Sequence, residues 1–284
     1  MKFKFISTII MGASFVLIAS CSKESLPENQ NNNDEILAGH SGWAKTKKPE
    51  VYRAFGDKSK VEQGLEAFRK VIGGSLNLEP GAVAGRREIN WENVPAELTN
   101  IDDFPGNFFA AVGSALPNER KLGIHLIPVL NFSFSFRISD NNFSDIDPSY
   151  ANEFPSFSPG KSFSQAYGKE TEVIFKVPGS HTRAYVESFG IVFIDVDRNH
   201  AATLEFFDEK DNSLGAFRAI PAKMGGKYSF LGVRMPGKKI VRVVINSGTG
   251  VLAQGSLDLS QGSMLDLVTM DDIIYSEPKS LGQF

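Results

Sequence analysis

Cysteine is almost absent from this chain: Cys21 is the only one in 284 residues. A single thiol cannot build a disulfide framework, so the folded part has to be held together by an apolar core. Histidine is scarce too, and His40, His125, His181 and His200 show neither zinc-ligand spacing nor a His-Glu-x-x-His helix. Ser41, between Gly39 and Gly42, lacks the Gly-x-Ser-x-Gly form on a strand-to-helix turn, so no nucleophile elbow is present. Nucleophilic catalysis by serine or cysteine therefore has no candidate. A basic excess is also missing, since the formal net charge is -3, and this argues against a nucleic-acid partner. Beyond the first twenty residues no run is long and apolar enough to span a bilayer, which takes about 20 such residues.

What is present begins with an anchor. Lys2 and Lys4 are followed by uncharged apolar or small residues over 5–18, the charged region and short apolar region of an export signal. The run ends in Ile18-Ala19-Ser20-Cys21, which resembles the lipobox of bacterial lipoproteins. The resemblance implies a signal peptide over 1–20 and lipid on Cys21, whose thiol is nucleophilic enough to accept it. Several acyl chains on one residue anchor stably where one is marginal, because each buried CH₂ contributes about 0.8 kcal/mol. Residues 21–48 are polar, with the run Gln30-Asn31-Asn32-Asn33, and are expected to be a flexible tether. Ser22 departs from the aspartate that retains enteric lipoproteins in the inner membrane. Lys23-Glu24 is similar to the charged export signals of Bacteroidetes surface lipoproteins, which implies an outer-membrane, outward-facing location.

The folded part is expected over 49–284. Phe is frequent at 23 against 2 Trp, and 26 Gly with 14 Pro punctuate the chain, a balance that favours half-buried sheets and turns. One helix is predicted over 59–72, with Ser59-Lys60-Val61-Glu62 as a capping box, Val61, Leu65, Phe68 and Ile72 on one face, and Gly73-Gly74 as the stop. The first strand is placed at Glu88-Ile89-Asn90-Trp91. Phe132, Phe134, Phe136 and Ile138 then alternate with polar residues, as in a strand with one buried face. Further strands are predicted at 172–177, 189–195, 203–207, 214–220, 228–233, 239–246 and 267–275, with a polar hairpin connection over 208–213. Short strands without interleaved helices indicate an all-β fold, an antiparallel β-sandwich or jelly-roll-like domain with one minor N-terminal helix.

An ordered set of segments carries a resemblance: Gly85-Arg86-Arg87-Glu88-Ile89-Asn90-Trp91, Phe104-Pro105-Gly106-Asn107-Phe108-Phe109, Phe154-Pro155-Ser156-Phe157-Ser158-Pro159, Phe189-Gly190-Ile191-Val192-Phe193-Ile194-Asp195-Val196-Asp197 and Met270-Asp271-Asp272-Ile273-Ile274-Tyr275. Together they resemble a family of exported bacterial β-sandwich proteins, many of which end in a PEP-CTERM-type sorting signal. The resemblance implies a sandwich and a surface location, with an N-terminal lipid in place of the sorting tail. It implies no reaction.

Two acidic pairs stand out as candidate calcium ligands. Asp195 and Asp197 would share one face of a period-two strand, as hard oxygen ligation needs. Asp271 and Asp272 lie in the last strand, whose form is similar to the closing strand of jelly-roll carbohydrate-binding modules, where a carboxylate holds structural Ca²⁺. Solvated strand-end acids, or carboxylates satisfied by backbone N–H groups, remain the plain alternative. Trp91, Tyr185 and Tyr228 are candidate platforms for a glycan, with Tyr167 a further large ring. Three function classes fit: a surface binding module for glycan or matrix polymer, an assembly component with an envelope protein partner, and a hydrolase using two of Glu88, Glu92, Glu172, Glu187 and Glu205.

Overall fold

A computed structural model describes residues 47–129, 136–222 and 227–282. In chain order the elements are β1 (Glu50–Gly56), α1 (Lys58–Ile72), β2 (Arg86–Ile89), β3 (Ile124–Pro128), β4 (Phe136–Ser139), β5 (Ser162–Gln165), β6 (Glu170–Phe175), β7 (Ala184–Tyr185), β8 (Ser188–Ile194), β9 (Ala202–Phe207), β10 (Ser213–Arg218), β11 (Tyr228–Arg234), β12 (Arg242–Ser247), β13 (Thr269–Ser276) and β14 (Lys279–Ser280). A seven-stranded sheet runs β1-β11-β8-β13-β5-β4, with β2 also on β13. A five-stranded sheet runs β10-β9-β12-β6-β3, and β7 pairs with β14. These pairings are antiparallel. The expected all-β sandwich is the fold observed. The signal peptide, Cys21, nearly all of the tether, and Phe132 and Phe134 lie outside the described residues.

Side-chain alternation tells the two sheets apart. Strands β6, β9 and β12 bury every second residue, because only one face is covered. Strand β8 is buried at all seven positions and β13 at seven of eight, because their sheet is covered on both faces. Between the sheets lies one large core that joins Phe189, Ile191, Phe193 and Tyr275 to Val173, Phe175, Leu204 and Val243. Phe175 crosses the interface, with its ring centroid 6.2 Å from Phe189 and 5.8 Å from Tyr275. The Tyr275 hydroxyl donates to Leu122 O at 2.9 Å, so the buried ring keeps its polar end satisfied.

The second cover is α1. Val61, Leu65, Phe68 and Ile72 pack on Val192, Phe230 and Ile274, the outward side chains of β8, β11 and β13. Gly64 allows this approach: a Cβ there would stand 2.3 Å from the Ala54 Cβ. The helix ends at Gly73 as expected, in a positive-φ conformation. Its start is corrected: Asp57, not Ser59, is the N-cap, and its carboxylate accepts from Lys60 N at 2.9 Å. Strands β1, β3 and β5 were not expected, and β1 lies within a few residues of the tether. The connection after β9 is the polar hairpin expected, with Asp208 Oδ1 accepting from the Lys210 and Asn212 backbone N–H groups.

Candidate functional site

The seven-stranded sheet ends, beyond β8, in a concentration of carboxylates. Strand alternation stops at Ile194, and Asp195 takes a left-handed backbone at φ 66 that Asp tolerates better than most residues. Asp195 and Asp197 are therefore not on one face of a strand, contrary to the period-two expectation. The turn brings Asp195 instead to two acids far away in sequence. Glu153 closes a short 3₁₀ turn, Pro148–Asn152. Asp258 caps another, Leu259–Gln261, where its Oδ2 accepts from Ser260 N and the Gln261 side chain returns to the Asp258 N–H. One carboxylate oxygen from each of Glu153, Asp195 and Asp258 lies within 4.8 Å of the other two.

Two more carboxylates border this group. Asp266 is fully buried, and its Oδ2 accepts from Asp197 N at 3.2 Å and Arg198 N at 2.6 Å. Asp197 itself is held above the usual carboxylate range, first by burial and then by Asp258. Against these acids stands Lys227, whose ammonium donates to Glu153 Oε1 at 2.6 Å and Asp195 Oδ1 at 3.1 Å. Burial, reinforced by Glu153, pushes Asp195 up to about 8, although Lys227 opposes the shift. Burial likewise raises Asp266 to about 6 against the two N–H groups that bind it. Burial also acts to raise Glu153, but hydrogen bonds from Asp195, Lys227 and Ser260 outweigh it and hold that carboxyl below its usual value. Asp195 Oδ2 and Asp266 Oδ1 are buried and have no hydrogen-bond partner.

The Asp271–Asp272 pair lies elsewhere, at a register shift between Met270 and Ile273 where β13 bulges. Both side chains are buried. Asp271 Oδ2 accepts from the backbone N–H groups of Phe157 at 2.6 Å and Ser158 at 3.1 Å, and Asp272 Oδ1 accepts from Ser158 Oγ at 2.6 Å. Donors thus hold Asp271 Oδ2 and Asp272 Oδ1, in line with the backbone-satisfied alternative, while Asp271 Oδ1 is buried beside Asp272 without a donor. Burial and then the adjacent Asp272 raise Asp271 well above the ordinary range, and burial raises Asp272 to about 6. Each carboxyl thus influences the other's proton affinity.

Of the expected platforms, Trp91 is core: it is 1 % exposed and stacks on Phe163 with centroids 4.5 Å apart. Tyr228 is half-buried, packs edge-on to Phe157, and donates its hydroxyl to Ser156 O, so its ring is engaged within the fold. Tyr185 stays half-exposed on β7, with the Lys239 ammonium 5.5 Å from its ring centroid.

Tyr185 adjoins the one broad face that the described elements leave open, the outer side of the five-stranded sheet. Register places Phe207, Arg242, Ile174 and His125 in one row across β9, β12, β6 and β3. A depression of about 170 Å³ opens at Ile174 and Arg242, walled by Lys176, Arg183, Asp208 and Asp211. Another, of about 360 Å³, opens at His125, walled by Asn107, Arg120, Lys176 and His181. Lys176 belongs to both. The Arg242 guanidinium lies 3.7 Å from the Phe207 ring centroid and bonds Glu172 Oε1 at 3.0 Å. Burial and then Lys176 lower His125, disfavouring its imidazolium form. Glu172 and Glu205 flank Val244 on the two adjacent strands.

Sequence reading missed Glu153, Asp258, Asp266 and Lys227, because only the fold brings them to Asp195. Comparison with known proteins adds no family. No family model matches the chain, and no curated protein does. Among solved structures, the enzymatically active domain of tailspike protein 4 from bacteriophage CBA120 is similar over 64 % of this chain at 13 % identity, with a TM-score of 0.27. The match spans 22 % of that tailspike chain.

Proposed function

We propose that this chain is a cell-envelope protein tethered to the outer membrane by lipid on Cys21, and that its sandwich is a non-catalytic binding module for a surface polysaccharide. The observation that carries the reading is the open outer face of the five-stranded sheet, where one row of side chains links two depressions. Strands lie about 4.8 Å apart, so the row from Phe207 to His125 spans about 14 Å, enough for a short stretch of polymer rather than one small molecule. Its lining suits hydroxyl-rich ligands: planar or ionised hydrogen-bonding groups at Arg242, Arg183, Asp208 and Asp211, the imidazole of His125, and the half-exposed ring of Tyr185, which follows the lining residue Ala184 in β7. The other sheet offers no comparable face, because α1 lies on it.

Assembly through a free strand edge fits less well. Edge strand β10 is interrupted at Gly215 by a register shift of the kind that discourages edge-to-edge pairing. The test is a glycan screen with the lipid-free chain beginning after Cys21, followed by titration of any hit. Arg242→Ala and Tyr185→Ala should each weaken the binding by about tenfold, a loss of about 1.4 kcal/mol. Unchanged affinity in both variants would refute the proposed face. Release of reducing ends from the bound polymer would instead favour hydrolysis by Glu172 and Glu205.

A further inference from the structure

We propose that Glu153, Asp195 and Asp258 form a calcium site at the end of the seven-stranded sheet, with Asp266 and Asp197 bordering it. The inference is independent of the glycan reading, since these residues take no part in the open face. Clustered acids alone would not support it, because acidic groups commonly share a neighbourhood in water. Two facts go further. Asp195 and Asp266 are each more than nine-tenths buried, yet Asp195 Oδ2 and Asp266 Oδ1 have no hydrogen-bond donor. Such an oxygen is costly to ionise without a partner, and a cation removes that cost. The surroundings also hold five carboxylates, at Glu153, Asp195, Asp197, Asp258 and Asp266, while among the described residues Lys227 is the one side-chain cation bonded to them.

The donor set selects the ion. Every group is an oxygen, with neither imidazole nor thiolate, which favours a hard cation over zinc or copper. Oxygens bound at about 2.4 Å to Ca²⁺ lie up to about 4.8 Å apart, and the oxygens of the three carboxylates lie within 4.8 Å of one another. Mg²⁺ prefers near-ideal octahedra at about 2.1 Å and keeps its waters, whereas Ca²⁺ tolerates the irregular set that two turns and a strand end supply. The turns are fixed without the ion. Asp258 holds Ser260 N and Leu267 N, and Asp266 holds Asp197 N and Arg198 N, so the carboxylates are positioned before a cation arrives. Lys227, about a third exposed, then acts as a competitor at the mouth that withdraws when the ion enters.

The experiment uses the lipid-free chain stripped with chelator and then dialysed free of it. Thermal unfolding and calorimetric titration are followed with CaCl₂ or MgCl₂ alone, up to about 10 mM to cover weak extracellular-type sites. Ca²⁺ should raise the midpoint by about 5 °C or more at saturation, and Mg²⁺ by much less. Asp195→Asn should weaken calcium binding by about tenfold or more, because it removes a charged ligand. Lys227→Met should tighten it several-fold by removing the competitor. Asp271→Asn should bind like the wild type. Folding of each variant is checked by circular dichroism before titration. The proposal is overturned if folded, metal-free wild type shows neither heat nor midpoint shift with Ca²⁺. A calcium response intact in Asp195→Asn, or lost in Asp271→Asn, overturns it as well.

Discussion

Arg87 and Glu277 are buried as deeply as Asp195 and Asp258, yet the two places treat charge in opposite ways. Arg87, 0 % exposed, meets Glu277, 2 % exposed, through two parallel bonds: Nε to Oε2 at 2.9 Å and Nη2 to Oε1 at 2.8 Å. Its remaining N–H groups reach Glu79 O and Asn77 O, and the Asn77 amide donates to Glu277 Oε2. Charge and hydrogen-bonding capacity both close within the chain. At the acidic end, among the described residues, five carboxylates face one ammonium, and two buried oxygens are left over. Burial alone therefore does not mark a site. The mark is burial that the protein's own groups leave unbalanced.

The largest expected effect breaks the balanced side. Glu277→Gln keeps the shape but leaves the Arg87 guanidinium buried without a counter-charge, which should cost about 3–5 kcal/mol of stability. Replacing both partners, as Arg87→Met with Glu277→Leu, should recover most of that loss, because the desolvation of two ions is removed along with their attraction. Denaturant midpoints for the two variants decide the matter. A double variant as unstable as the single would show that the pair acts through shape rather than charge.

A smaller effect of opposite sign is expected at the unbalanced side. In chelator at pH 9, Asp195→Asn makes the same acid-to-amide change as Glu277→Gln. There it removes a charge that more like neighbours repel than Lys227 attracts. It should stabilise the protein by on the order of 1 kcal/mol. In saturating Ca²⁺ the sign should reverse, because the variant forfeits the bound ion. Destabilisation in chelator as well would mean that Lys227 already balances the cluster.

The contrast also explains what was legible in the sequence. Strands β6 and β8 to β13 could be read, because runs of Phe, Val and Ile, alternating with polar residues in β6, β9 and β12, lie between polar turns, whereas the two-residue strands β7 and β14 could not. Strand β5 could not: Ser162, Ser164 and Gln165 read as surface, yet all four of its residues are buried between β4 and β13. Strand β1 starts directly after Lys47-Lys48-Pro49, and nearly all its residues are half-buried, so it shows no clean alternation. Of the site, Asp195 and Asp197 were visible as a local pair. Glu153 and Asp258 were not, since each looks like an ordinary turn residue and only tertiary contact joins them. The Arg87–Glu277 pair, 190 residues apart, was hidden for the same reason.

The smallest expected effect belongs to the Asp271–Asp272 pair, which stands between the two extremes. Donors meet Asp271 Oδ2 and Asp272 Oδ1, and among the described residues no side-chain cation bonds either carboxyl. Both groups are raised in the folded protein, Asp272 to about 6 and Asp271 well above its ordinary value. An acid raised on folding contributes stability that is fully present below its unfolded value, near 4, and is lost as the pH climbs through the folded value. Between about pH 4 and 7 the wild type should therefore lose stability relative to Asp272→Asn, whose amide does not titrate. One pKa unit corresponds to about 1.4 kcal/mol, so a shift of about two units predicts a relative loss of about 2 to 3 kcal/mol, somewhat less after solvent screening. Both proteins are to be compared in saturating Ca²⁺, which holds the distant acidic cluster in one ionisation state so that the difference reports the pair alone. Parallel stability curves for wild type and Asp272→Asn across that range would mean that Asp272 ionises normally in the folded chain. The bulge in β13 would then be holding an ordinary carboxylate against Ser158 rather than an acid raised by burial.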